Sequence, residues 1–288
     1  MKKYKLEYLI IIVLCVAIIF AGGVVVMKFK PAQNVSPKPQ QIVASAVSTP
    51  SPTNIPKAVK TQSVSQSPTT TSIVRTKKKE YSIAVYGDSM VETMGERTDY
   101  LEHRLNEMFP GVKFDLYNYG IGGENAQKGL DRFGSSFNYK TRKYPPITDL
   151  HPDIIIVGSF AYNPPVPYER DKHWLTLIEL VKRSQGTGAQ VYLLSEIAPL
   201  ENNFGKGPGG VNWPDEMSRD QARKITELLE NAVNLGTILG IPVINAYDAT
   251  NGVGKYGSSA YTDPHDGIHP SVAGHTLMAN MIAQRLRL

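Results

Sequence analysis

The chain has 288 residues, 41% of them hydrophobic and 20% charged, with a formal net charge of +5 and a single cysteine, Cys15. The charge is uneven: residues 1–79 hold 12 Lys/Arg against 1 Asp/Glu, which leaves 19 basic and 25 acidic side chains for the remainder. An acidic globular part argues against phosphate-backbone binding as its main task, so no nucleic-acid partner is expected, and the lack of cysteine there excludes disulfides and thiolate metal ligands.

Residues 8–27 form an uncharged run of 20 dominated by Ile, Val, Leu, Ala and Phe. As a helix the run would rise about 30 Å, enough to cross a bilayer core. Lys2, Lys3 and Lys5 precede it and Lys28 and Lys30 follow, a bias that, with the terminal amine, predicts a cytoplasmic N-terminus. A cleaved signal peptide is the alternative, but its apolar core is usually only about 7–15 residues with a small-residue cleavage site close behind. Here Ala44-Ser45-Ala46 lies far downstream, and Leu14 before Cys15 does not suit a lipoprotein signal. Residues 1–30 therefore read as a cytoplasmic stub and membrane anchor. Residues 31–79 are rich in Pro, Ser, Thr and Gln, with seven prolines from Pro31 to Pro68, and predict a disordered tether. Residues 80–288 are the globular domain, with the sole membrane contact expected through the N-terminal helix.

In chain order, the domain reads as strand 82–86, helix 99–108, strand 112–117, strand 153–157, helix 170–184, strand 191–194, helix 218–239, strand 242–245 and helix 271–286. Alternating strands and helices predict an α/β fold, a mainly parallel sheet with helices on both faces. In such sheets the binding crevice lies beyond the carboxyl ends of the strands.

Four stretches bear on chemistry. IAVYGDSM (83–90) ends a buried strand with Gly-Asp-Ser, which suits either a turn with a helix cap or a nucleophilic serine, Ser89, at a strand's carboxyl end. YNYGIGGENA (117–126) places Gly120 and Gly123 where the chain can turn tightly and expose N–H groups. VGSFAYNPP (157–165) offers the Asn163 amide, although Asn-Pro often starts turns. TDPHDGIHPS (262–271) sets Asp266 three residues before His269, close enough for the carboxylate to accept Nδ1–H and leave Nε2 free to take a proton. A turn Asp and a capping His are the plain alternative. A zinc reading of His265, Asp266 and His269 lacks an evident outside ligand, so no metal is assigned.

Together these stretches resemble the SGNH hydrolases, also called the GDSL esterase/lipase family, from residue 82 to the C-terminus. Gly87-Asp88-Ser89 and Asp266-Gly267-Ile268-His269-Pro270 carry the resemblance best, and Asn118, Gly120 and Gly123 match the second block. The third block, usually Gly-x-Asn-Asp, departs: Gly158-Ser159-Phe160 lacks the Asn, and the candidate, Asn163, is displaced. The resemblance implies a three-layer αβα sandwich around a five-stranded, flavodoxin-like sheet. It implies a catalytic Ser89, His269 and Asp266, an oxyanion hole of the Ser89 and Gly123 N–H groups with the Asn163 side chain, and no cofactor. Tyr162, Phe204 and Trp213 are candidate substrate-binding residues; the last two lie in the Gly-rich stretch 202–216, which reads as either a mobile lid or a surface loop held by its aromatics.

Three functions follow. The first is a membrane-anchored extracytoplasmic esterase that removes acyl groups, acetyl among them, from carbohydrate or lipid esters. The second is an O-acyltransferase to envelope polysaccharide using the same residues, which would need a membrane partner to supply the acyl donor. The third is an inactive carbohydrate-binding module.

Overall fold

The computed structural model describes residues 78–288, so the expected anchor and nearly all of the tether lie outside the described residues. Among the described residues no helix is long and apolar enough to cross a membrane. The elements are β1 (Glu80–Gly87), α1 (Ser89–Glu92), α2 (Asp99–Met108), β2 (Lys113–Gly120), α3 (Ala126–Arg132), β3 (Phe137–Tyr139), β4 (Arg142–Tyr144), α4 (Ile147–Leu150), β5 (Ile154–Gly158), α5 (Arg170–Gly186), β6 (Gln190–Ser195), α6 (Asp215–Leu239), β7 (Val243–Asn245), α7 (Ala246–Thr250) and α8 (Val272–Arg285).

Five strands form one parallel sheet in the order β2-β1-β5-β6-β7. Because side chains alternate across a strand, Ile83, Val85, Ile154, Ile156, Tyr192 and Leu194 face one side with Leu101 and Leu105 of α2 and Ile282 of α8. Ala84, Tyr86, Ile155, Val157, Val191 and Leu193 face the other with Leu177 and Leu180 of α5 and Leu235 of α6. Strands buried on both faces read as continuous apolar runs, and IIIV in β5 is the plainest case. This is the three-layer α/β sandwich and five-stranded parallel sheet expected from the sequence. The order reverses beside β1, so the chain leaves β1 and β5 in different directions and opens a crevice at their carboxyl ends.

Short elements went unforeseen. The antiparallel hairpin β3–β4 packs on edge strand β2, where buried Arg142 donates to the carbonyls of Asn118 (2.6 Å) and Gly120 (2.8 Å). Edge carbonyls that would otherwise be open to another chain are thereby satisfied. Helix α6 starts at Asp215, three residues before the expected start, with Asp215 and Glu216 in the first turn where carboxylates suit the N-terminal end of the helix dipole.

Candidate functional site

At the end of β1 the chain turns through Asp88, whose carboxylate accepts the Met90 N–H at 3.0 Å and caps α1. Ser89 is the first residue of that helix. The turn sits tightly on the end of β2: a Cβ at Gly120 would lie 2.3 Å from the Glu92 nitrogen and 2.9 Å from the Asp88 carbonyl oxygen. Asn118 fixes the far side, donating to the carbonyls of Val91 (3.0 Å) and Gly95 (2.6 Å) while its Oδ1 accepts the Gly120 N–H at 2.9 Å. Glycine at 120 and asparagine at 118 are thus required by the close approach of Ser89's helix to the sheet. Gly123 adopts φ +75°, a conformation glycine takes without steric cost, and the Glu92 carboxylate orients the preceding residue by accepting the Gly122 N–H at 2.6 Å.

Asp266 and His269 sit in the loop before α8. Asp266 Oδ1 accepts the N–H groups of Ile268 (2.7 Å) and His269 (3.0 Å), and Oδ2 stands 2.7 Å from His269 Nδ1. Burial alone would raise the Asp266 carboxyl, but the His269 ring and the two backbone N–H groups outweigh it and hold it below its ordinary range. With an ionised carboxylate on Nδ1, the neutral ring keeps its proton there and presents Nε2 as a base.

Ser89, Gly123, Asn163 and His269 all line one cleft of about 690 Å³. Part of the lining is aromatic and aliphatic: Tyr162, Phe204, Trp213, Val211 and Ile268. Part is polar: Glu92, Asn125, Tyr139 and Lys140, with Lys140 paired to Glu92. Tyr162 and Phe204 are nearly buried, and the Tyr162 hydroxyl donates to the Ile197 carbonyl at 2.8 Å, so both belong to the floor. Asn163 is placed by Asp88: its Nδ2 donates to Asp88 Oδ2 at 3.0 Å. An amide carries two N–H donors, so one remains beyond this bond.

Residues 202–216 are stitched to the His269 loop. The Gly205 and Gly209 N–H groups donate to the carbonyls of Gly267 (3.0 Å) and His265 (2.8 Å), and Asn212 Nδ2 donates to the carbonyls of Gly207 (2.8 Å) and Gly210 (3.0 Å). Of the two expectations for this stretch, the geometry fits the anchored loop: it braces Asp266 and His269 instead of swinging free. Among the described residues no group of three His, Cys, Asp or Glu side chains is placed to hold a metal ion.

Two polar side chains were not foreseen. Glu196, directly after β6, is fully buried and accepts the Ser159 N–H at 3.0 Å. His173 of α5, without a visible partner in the sequence, donates from Nε2 to the Ser159 carbonyl at 2.8 Å, and its Nδ1 faces the Asn231 amide at 3.3 Å. Burial pushes His173 down to about 4, which keeps it neutral. The only hint of Glu196 in the sequence is a carboxylate inside the apolar run YLLSEIAPL.

Residues 85–277, about two-thirds of the chain, match the model of the GDSL-like Lipase/Acylhydrolase family. No curated protein matches the chain. Among solved structures it is similar to the lipase/acylhydrolase from Enterococcus faecalis, at 19% identity over 71% of this chain and 94% of that one, TM-score 0.52. It is also similar to a GDSL-like lipase from Bacteroides thetaiotaomicron (18% identity, 71% and 86% of the two chains, TM-score 0.51). A third is an acetyl xylan esterase (15%, 72% and 100%, TM-score 0.51). At such identities the structural likeness speaks for the fold alone; the family match takes in Ser89, Asp266 and His269 together, and on it this chain belongs to the GDSL-like lipase/acylhydrolase family and is an ester-bond hydrolase.

Proposed function

We propose that the protein is a serine esterase working through an acyl-Ser89 intermediate on acetyl esters of carbohydrate. The observation that carries this reading is the 2.7 Å contact of Asp266 Oδ2 with His269 Nδ1 in a cleft that His269 shares with Ser89. His269 Nε2 takes the proton of the Ser89 hydroxyl as its oxygen attacks the ester carbonyl, and returns it to the departing alcohol. Asp266 holds the ring and balances the imidazolium charge. The N–H groups of Ser89 and Gly123 and the free N–H of Asn163 Nδ2 receive the oxyanion. Water then attacks the acyl-serine with His269 again as base, releasing the acid. Support for a carbohydrate alcohol comes from the Trp213 and Phe204 rings that line the cleft and from the acetyl xylan esterase among the structural neighbours. The reading includes attachment by residues 8–27 with the domain outside the cytoplasm, which rests on that uncharged stretch and its lysine flanks.

The deciding experiment is hydrolysis of p-nitrophenyl acetate by the full chain, its Ser89→Ala and His269→Ala variants. Activity in the wild type and loss in both variants is expected; equal rates in wild type and Ser89→Ala would sink the mechanism. Acetylated xylo-oligosaccharides assayed beside p-nitrophenyl palmitate separate carbohydrate from lipid esters, and preference for the palmitate would overturn the substrate class. Membrane fractionation, with protease digestion of intact cells, tests the anchor: recovery of the intact chain in the soluble fraction would refute it.

A further inference from the structure

Below the floor of the cleft, where β1, β5 and β6 end, two fully buried carboxyl groups face each other's charge: Asp88 and Glu196. Glu196 grips one residue. Its Oε1 accepts the Ser159 N–H at 3.0 Å and its Oε2 is hydrogen-bonded to the Ser159 hydroxyl, whose oxygen also accepts the Ala161 N–H at 3.1 Å. The Ser159 carbonyl accepts from His173 Nε2. Every polar atom of Ser159 is therefore held, and the turn that runs from β5 to Asn163 is pinned from beneath. The fit leaves no slack, since a Cβ on Gly158 would lie 2.7 Å from Glu196 Oε1. Four residues on, the Asn163 amide meets Asp88 Oδ2.

We propose that Glu196 is a positioning residue for ester hydrolysis, pinning through Ser159 the turn that delivers the Asn163 amide to Asp88 and to the oxyanion. This rests on the reading of Ser89 and Asn163 given above.

Two buried carboxyls close together do not both ionise without large cost. Burial raises both, and the charge of Asp88 raises Glu196 further; the Ser159 hydroxyl and N–H favour charge on Glu196 but do not offset this, whereas the Met90 N–H, the Asn163 amide and His269 favour charge on Asp88. Asp88 is thus the carboxylate and Glu196 the neutral acid near pH 7. The titratable groups that face Glu196 are Asp88 from the β1–α1 turn and Tyr162 from the β5–α5 segment, with His173 of α5 reaching it through Ser159. Raising the pH until Glu196 ionises adds a second buried negative charge that repels the Asp88 carboxylate, the group that holds the Asn163 amide.

The test is the pH profile of kcat for p-nitrophenyl acetate in the full chain, with wild type, Glu196→Ala and Glu196→Gln compared. Glu196→Ala is expected to lower kcat by roughly 10–100-fold, short of the ~10²–10³ for outright loss of an oxyanion donor, with KM little changed. Glu196→Gln, neutral and of the same shape, should recover most of kcat at pH 7 and lack the decline expected of wild type as pH passes about 8. A residue with a merely structural role would lower the rate without changing the profile's shape. Wild-type kcat in Glu196→Ala, or an unchanged alkaline decline in Glu196→Gln, overturns the proposal. If the chain shows no Ser89-dependent hydrolysis, the parent reading fails and the positioning role falls with it, and infrared spectroscopy then tests the neutral state of Glu196 alone. A protonated-carboxyl band at pH 7 that Glu196→Gln removes would support the neutral Glu196; its absence from wild type would refute it.

Discussion

The Asn163 amide lies 3.0 Å from Asp88 Oδ2, so the residue just before Ser89 holds the proposed oxyanion donor in place. Asp88 thereby does two things at once, since its other oxygen caps the helix that begins with Ser89. The serine and the amide are thus referenced to the same carboxylate.

Replacing Asn163 by Ala removes a donor that strengthens only as charge develops on the substrate oxygen. We expect kcat for p-nitrophenyl acetate to fall by about 10²–10³ with a much smaller change in KM. A change confined to KM would show that the amide binds the ester in its ground state and does not stabilise the oxyanion.

Asp266→Asn keeps an oxygen for the Ile268 and His269 N–H groups but sets an amide donor against Nδ1. The ring must then accept at Nδ1 and carry its proton on Nε2, where a base is needed. The expected loss in kcat is up to about 10⁴-fold, with a thermal midpoint within a few degrees of wild type. A rate near that of wild type would show that His269 does not rely on Asp266 for its tautomer.

Gly267 has φ +67°, and a Cβ there would meet the carbonyl oxygens of Asn203 and Lys206, both at 2.6 Å. Gly267→Ala pays for a left-handed backbone, roughly 1–3 kcal/mol, and also forces apart the two loops that brace His269. In a domain of this size each kcal/mol lowers Tm by about 2–4 °C, so calorimetry should show a clear drop together with a fall in kcat. An unchanged Tm would contradict the rigid contact between the loops.

Stability should also depend on pH in a definite sense. Burial raises Asp88 to about 6 and Glu196 to about 8, so stability tied to these groups is full below their ordinary range and lost as pH rises through those values. Burial lowers His173 and His275 to about 4, and their contribution runs the other way, lost as pH falls from about 6.5. The opposing slopes overlap up to about pH 7.5, where histidine in the unfolded chain still binds protons; from there to about pH 8.5 only Glu196 among these four still titrates. Tm is expected to decline over that window in wild type and to stay level in Glu196→Gln. Equal declines in both would place the titration elsewhere.

Much of the fold was legible in the sequence because its signals are local. The helix at Asp99–Met108 matched its expected bounds, and IIIV in β5 could be recognised from its unbroken apolar run. The hairpin β3–β4 could not, because strands of three residues show too little alternation to stand out. Helix α3 was equally hidden, its seven residues following a glycine-rich turn.

The sequence by itself determined the alternation of strands and helices, the placing of Ser89 after the first strand, and the Asp266–His269 pair, whose partners are three residues apart and need only a local turn to meet. Tertiary structure alone decided that residue 269 lines the same cleft as residue 89, that Asn163 reaches Asp88, that Glu196 underpins Ser159, and that residues 203–212 brace the His269 loop. The physical reason is range. Turns, caps and periodic burial are written in neighbouring residues, whereas contacts between distant segments exist only once the parallel strands have brought their carboxyl ends to one edge, and no spacing along the chain records which side chains will meet there.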